Sequence, residues 1–127
     1  MPNVAVIEMG EVGSGSSSKS ASMLSLQFFR DELTLRMAKY SYSKYQQFEA
    51  EFGNPIDFEK IGWLSLATAE SAEQLSRYVK LLTSLDAPTE VLEPDEIRRR
   101  YPEINTEDLV LGAFGPDDGS FDAHMIM

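Results

Sequence analysis

Val4-Ala5-Val6-Ile7-Glu8 runs through Met9 into Gly10-Glu11-Val12-Gly13-Ser14-Gly15-Ser16-Ser17-Ser18, and the architecture expected for the rest depends on how that junction is read. A short, continuous apolar run rich in valine predicts a strand buried on both faces, the pattern of a parallel sheet. It ends in a carboxylate, and a carboxylate at a strand tip is placed to accept hydrogen bonds from a ribose diol. In dinucleotide-binding folds such an acidic residue closes the second strand, ~20 residues after a glycine-rich turn. Only seven residues precede Glu8, so no such turn stands upstream of it in these 127 residues. Glycines in the loop let the backbone approach an anion, and successive amides form an anion-binding nest. By composition alone the loop is equally a flexible linker, and Glu8 an ordinary carboxylate at a strand end. The apolar runs on both sides favour an ordered loop.

The bulk numbers narrow the class. A chain of 127 residues is one domain by length, and an apolar share of 43% with 25% charged residues is that of a globular protein. The formal charge of −10 argues against a nucleic-acid partner, which needs clustered lysine and arginine. The one basic run, Arg98-Arg99-Arg100, lies among Glu93, Asp95, Glu96 and Glu103 and reads as a solvated helix end. With no cysteine there is no disulfide framework, thiolate metal site or cysteine nucleophile. No run approaches the ~18 to 20 apolar residues of a membrane helix. Met1-Pro2-Asn3-Val4 lacks the layout of a secretory signal, so a cytoplasmic setting is the expectation.

Periodicity sets out an α+β chain. Asp31 and Glu32 open a helix whose stripe, Leu35, Ala38, Tyr42, Tyr45, Phe48 and Phe52, recurs at intervals of three and four; Gly53 and Asn54-Pro55 stop it, giving a longest helix over about 31–52. Extended stretches are expected at Ile56–Phe58 and Ile61–Ala67. Thr68 is placed to cap a second helix over Glu70–Leu85, and Asp86-Ala87-Pro88 breaks it. A brief strand over Glu90–Leu92 precedes a short helix with Pro94 at its first position, ended by Tyr101-Pro102. Leu109–Phe114 reads as a strand before the turn Gly115-Pro116-Asp117-Asp118-Gly119, and Asp122 resembles a cap for a helix begun at Ala123–Met127. Both ends look cut through structure.

In the order of its features the whole chain resembles an internal segment of the FAD-dependent amine and amino-acid oxidoreductases, the family of sarcosine oxidase, glycine oxidase, dimethylglycine dehydrogenase and D-amino-acid oxidase. Three stretches carry the resemblance: Val4 to Ser17; Glu93-Pro94-Asp95-Glu96-Ile97-Arg98-Arg99-Arg100-Tyr101-Pro102-Glu103-Ile104; and Gly112-Ala113-Phe114 through Asp118-Gly119-Ser120-Phe121-Asp122. The resemblance implies a fragment of a FAD-binding Rossmann-like domain (second strand and flavin loop) over residues 1–30. Residues 31–127 would be part of a substrate domain with an antiparallel or mixed sheet and helices, truncated at the C-terminus.

The implied cofactor is FAD. Glu8 would hold the adenosine ribose, Gly13, Ser14, Gly15, Ser16 and Ser17 would pass close to the pyrophosphate and flavin, and Lys19, Ser20, Ala21 and Met23 would run beneath the isoalloxazine ring. Ser18 and Ser22 stand where glycines are usual, Ser20 where asparagine is, and Lys19 where an arginine is, keeping the charge but not the planar fork. No reacting residue is assigned, because those of many members lie downstream.

The implied function is oxidation of a secondary amine or amino acid of the sarcosine, glycine or proline type. The alternative is a non-catalytic α+β module from a split or truncated gene that associates with a partner chain or with itself. These residues alone are expected to bind FAD poorly and to be inactive. Other candidates have plainer readings. Tyr42 and Tyr45 lie on the apolar stripe, with Tyr40 beside them, and read as packing rather than a substrate patch. Trp63 reads as core, His124 has no neighbouring ligand set and is no metal site, and Asp117-Asp118 beside Gly119 is turn chemistry rather than a carboxylate pair.

Overall fold

The computed structural model describes residues 3–5, 7–53 and 55–126; Val6, Asn54 and Met127, which belong to the expected first strand, helix stop and final turn, lie outside the described residues. The chain is α+β, with small antiparallel sheets and four helices among the described residues: β1 (Met23–Leu24), α1 (Glu32–Gln46), α2 (Phe48–Phe52), β2 (Trp63–Thr68), α3 (Ala72–Ser84), β3 (Glu90–Leu92), α4 (Pro94–Arg100), β4 (Leu109–Gly115) and β5 (Gly119–Ser120).

Local chemistry starts α1. Asp31 is its N-cap: the carboxylate accepts from the Thr34 amide at 3.0 Å and the Thr34 hydroxyl at 2.6 Å. Those bonds, the hydroxyl first, hold the Asp31 carboxyl below the usual carboxylate range. The helix expected over 31–52 is interrupted at Gln47, whose amide donates to Lys44 O at 3.2 Å in a tightened turn. Gly53, at φ 78°, closes α2 and donates to Glu49 O at 2.8 Å. The interruption divides the apolar stripe. Leu35 and Tyr42 are buried in the core, whereas Phe48 and Phe52 stack on each other at 4.7 Å with Phe52 exposed.

β2, β4 and β3 form an antiparallel sheet in that order, with β4 central. Side chains alternate across it. Ala67 and Ala113 join the core that also holds Leu75, Tyr78 and Leu82 of α3. Gly112 turns to the other face, where an added Cβ would come 2.7 Å from Ile97 Cδ1, so α4 sits close on that side. Pro94 stands at the start of α4 as expected. At its other end Arg99 and Arg100 both bind Glu96, lowering that carboxyl's pKa, and Arg100 also reaches Glu90 at 2.7 Å. Such solvent-screened pairs add little to stability, and the basic run is a solvated helix end.

Three local expectations are corrected. Residues 3–5, 7 and 8 form no strand, and Val4 and Ile7 are exposed by 79% and 93%. A strand is stable only against a hydrogen-bonding neighbour, and none of the described strands pairs with this segment. Ile56–Phe58 is not a strand either: Asp57 takes a left-handed φ of 47°, and only Glu59 bridges to Ser120. Thr68 does not cap α3. It ends β2, its amide donates to Ser71 Oγ at 3.1 Å, and the helix begins at Ala72.

The second sheet is a two-residue ladder, Met23↔Ser120 and Leu24↔Gly119. Glu59 pairs with Ser120 on its other side, through bonds of 2.9 and 3.1 Å. Gly119 lies so close to this third segment that a Cβ on it would collide with Glu59 O. Here the serine-rich loop rejoins the body of the protein.

Candidate functional site

The structure gathers the expected cofactor residues into one exposed turn. The Glu8 carboxylate accepts from the Gly10 amide at 2.9 Å. A Cβ placed on Gly10 would lie 3.9 Å from Glu8 Oε1 and 3.2 Å from Ser14 Oγ, so these two acceptors flank one point of the backbone. Gly13 turns the chain at φ 79°, and the loop closes on itself through Ser14 N to Glu11 O at 3.0 Å and Ser18 N to Gly13 O at 3.1 Å. Ser17–Lys19 form a single 3-10 turn. The amides of Gly15, Ser16 and Ser17 have no protein acceptor among the described residues, and space is open beside Gly15. The Lys19 ammonium has no ion-pair partner among them. Ser20 Oγ accepts from the Ser22 amide at 3.0 Å, and Ser22 takes a left-handed φ of 51°.

Past this turn Ala21 is exposed and Met23 enters β1. Met23 also lines an open, mainly apolar groove of about 280 Å³ with Phe28, Phe29 and Met37. The structure therefore brings Glu8, Gly13, Ser14, Gly15, Ser16, Ser17, Lys19 and Ser20 into one turn and sets Met23 at the rim of a groove. The turn lies against the 3-10 turn Ala123–Ile126, where Asp122 Oδ1 accepts from the His124 amide at 2.9 Å.

A buried polar cluster behind the turn was not read from the sequence. Asp118 is 2% exposed; one carboxylate oxygen accepts from the Ser25 hydroxyl and the other from the Leu26 amide at 3.0 Å. Burial pushes its pKa above the ordinary 3.8, against the lowering effect of those bonds. Ser25 Oγ in turn accepts from the Gln27 amide at 2.9 Å, and Gln27 Nε2 donates to Thr89 Oγ1 at 3.2 Å. The Tyr78 hydroxyl donates to Leu26 O at 2.8 Å, and burial pushes that phenol up to about 12. The expected turn is present, closed by the Asp118 amide donating to Gly115 O at 3.3 Å, but its two carboxylates are separated in role. Asp117 faces solvent and pairs with Lys60 at 2.5 Å, while its carbonyl accepts from the Tyr42 hydroxyl at 2.7 Å.

The remaining candidates are simply placed. Tyr40 is exposed, Tyr42 is buried, and Tyr45 stacks on Phe121 at 5.2 Å. Trp63 is half-buried, with its ring edge-on to Phe28 at 4.5 Å. Among the described residues no three acidic or histidine side chains converge as a metal site requires, and no helix is long and apolar enough to cross a membrane.

Known proteins bear on this geometry. The chain is 26% identical over 128 residues to mitochondrial dimethylglycine dehydrogenase of Rattus norvegicus, covering 99% of this chain and 15% of that protein. It is 29% identical over 117 residues to the mitochondrial pyruvate dehydrogenase phosphatase regulatory subunit of Mus musculus, covering 91% and 13% respectively. It therefore spans about one seventh of the length of these relatives. Among solved structures, L-proline dehydrogenase from P. horikoshii superposes with a TM-score of 0.76 at 24% identity, over 91% of this chain and 30% of that one, a likeness of fold. The model of the family described as DAO, FAD dependent oxidoreductase, matches residues 1–127. The chain belongs to this family of FAD-dependent oxidoreductases.

Proposed function

We propose that this chain supplies part of the FAD site, and the adjoining part of the substrate domain, of an oxidoreductase acting on an amine or amino acid. The observation that carries the reading is the folded turn at residues 13–20, with three unpartnered amides and with Glu8 approaching it across Gly10, in a chain of this family. The donor set fits the cofactor. Amides of Gly15, Ser16 and Ser17, with the serine hydroxyls, suit a pyrophosphate, because backbone donors bind an anion without a charged side chain. Glu8 keeps one carboxylate oxygen free of protein donors among the described residues and suits a ribose hydroxyl. Lys19 adds a compact positive charge, and Met23 with its open, mainly apolar groove offers a surface that suits a flat ring. FAD, when bound, supplies the redox chemistry, taking up a hydride equivalent from the carbon next to nitrogen. This chain's residues bind and orient.

A second reading rests on two observations: one relative is named a regulatory subunit, and Val4, Ile7, Met9 and Val12 expose apolar side chains in a row. On that reading the chain is a non-catalytic module that pairs with a partner through this segment. An absorbance scan of the native polypeptide that contains these residues separates the two. A flavin spectrum bleached by sarcosine, dimethylglycine, proline or glycine supports the first; a colourless protein that none of them affects refutes it.

A further inference from the structure

We infer that Asp118 is a positioning residue for the cofactor loop: from the interior it fixes where the loop rejoins the fold, and so sets the aim of the Gly15–Ser17 amides. The inference rests on the FAD reading only for its last link, from loop to cofactor.

Apart from its contact with the 3-10 turn Ala123–Ile126, the loop is held from one end. On its N-terminal side Val4, Ile7 and Met9 are exposed and form no strand pairing among the described residues. On its C-terminal side the backbone is fixed at successive positions. The Phe121 amide donates to Ser22 O at 3.0 Å, and Met23 and Leu24 pair with Ser120 and Gly119. Asp118 then takes Ser25 and Leu26, one with each oxygen, and the Tyr78 hydroxyl takes the Leu26 carbonyl.

Asp118 is the carboxylate in this set, and its burial is costly. An apolar side chain at the same place would avoid the desolvation penalty and fill the space. What the carboxylate adds is direction, because two oxygens with separate donors orient two consecutive residues of the returning chain. The anchor also stands next to Gly119 in sequence, so one turn of backbone carries both the ladder and the clamp.

These 127 residues hold no cysteine, so two introduced thiols among them can be labelled once any cysteine elsewhere in the polypeptide is replaced. Ser16→Cys in the loop and Gln74→Cys on the exposed face of α3 carry a spin-label pair in the native polypeptide that contains these residues, in the Asp118, Asp118→Asn and Asp118→Ala backgrounds. The wild-type background should give one narrow distance distribution, Asp118→Ala at least a twofold broader one, and Asp118→Asn, which keeps one acceptor, an intermediate width. Helical ellipticity, followed alongside, stays at the wild-type level if the effect belongs to the loop. An unchanged width in folded Asp118→Ala overturns the inference; if that variant does not fold, an unchanged width in Asp118→Asn does so instead.

FAD titration by flavin fluorescence examines the last link. With the loop broadened, affinity should fall about tenfold; equal affinity would detach Asp118 from the cofactor. If no form, wild type included, binds FAD, the FAD reading fails for this chain and the link to the cofactor falls with it, while the label distances still decide whether Asp118 fixes the loop.

Discussion

Ser22→Gly should make this protein more stable, although it removes a side chain. Ser22 takes φ 51°, where an L-residue pays ~1–2 kcal/mol for the approach of its Cβ to the backbone. Glycine removes that strain, and its freer unfolded chain takes back ~0.4–1 kcal/mol. The bonds that hold the residue use only its own backbone atoms, from Ser22 N to Ser20 Oγ and from Phe121 N to Ser22 O, and both survive the change. The net expectation is a gain of about 0.5–1 kcal/mol, or roughly 2–5 °C in the melting temperature for a chain of this size. Thermal melts followed by far-ultraviolet circular dichroism should therefore rank glycine above serine. Valine, stiff at its branched Cβ, should rank below serine by ~1 kcal/mol or more. A glycine variant that melts at or below the wild type would refute the reasoning, since strain at residue 22 would then cost less than the entropy glycine adds.

In the native polypeptide, Glu8→Ala should weaken FAD binding by about 1.5–3 kcal/mol, roughly ten- to a hundredfold, the range for a charged hydrogen-bond acceptor; unchanged retention through gel filtration would remove Glu8 from the site. Leu82→Ala, at a fully buried position, should cost ~2–5 kcal/mol in urea unfolding, while Leu66→Ala, 39% exposed, should cost clearly less. Asp118 has a folded pKa raised above 3.8, so its contribution to stability is full below 3.8 and is lost as the pH rises through the raised value. The stability of the wild type relative to Asp118→Asn should accordingly grow as the pH falls from neutrality toward about 4, and a flat or reversed trend would contradict that burial. Alkaline titration of phenol absorbance should show a late tyrosine at about 12 that Tyr78→Phe deletes.

What could be read in advance was what the chain encodes locally. α1 announces itself through the acidic pair Asp31 and Glu32 at its start and the spacing of Leu35, Ala38 and Tyr42; Gly53 marks the end of α2, and Pro94 the start of α4. The break at Gln47 was invisible because apolar spacing continues across it to Phe48 and Phe52. Val4–Ile7 misled for the opposite reason: composition described a strand, but a strand is made by its neighbours. Asp118 was hidden by distance. Its partner Ser25 is 93 positions away, and an Asp-Asp-Gly run carries the local signature of a turn whether or not one carboxylate points inward. The candidate loop was legible as composition, but its unpartnered amides emerge only once Gly13 and the 3-10 turn have set the backbone.

Gly15 and Gly119 are the same residue under opposite sequence constraints. Open space surrounds the first, whereas any side-chain carbon on the second meets the carbonyl of Glu59. Every amino acid that a single base change can put in place of a glycine carries that carbon. Drift at Gly119 is therefore closed in all directions at once, and the segment at Glu59 cannot move aside without losing its two bonds to Ser120. In a library of random variants sorted for folding alone the counts at the two positions should diverge, with Gly15 tolerating many residues and Gly119 retaining one.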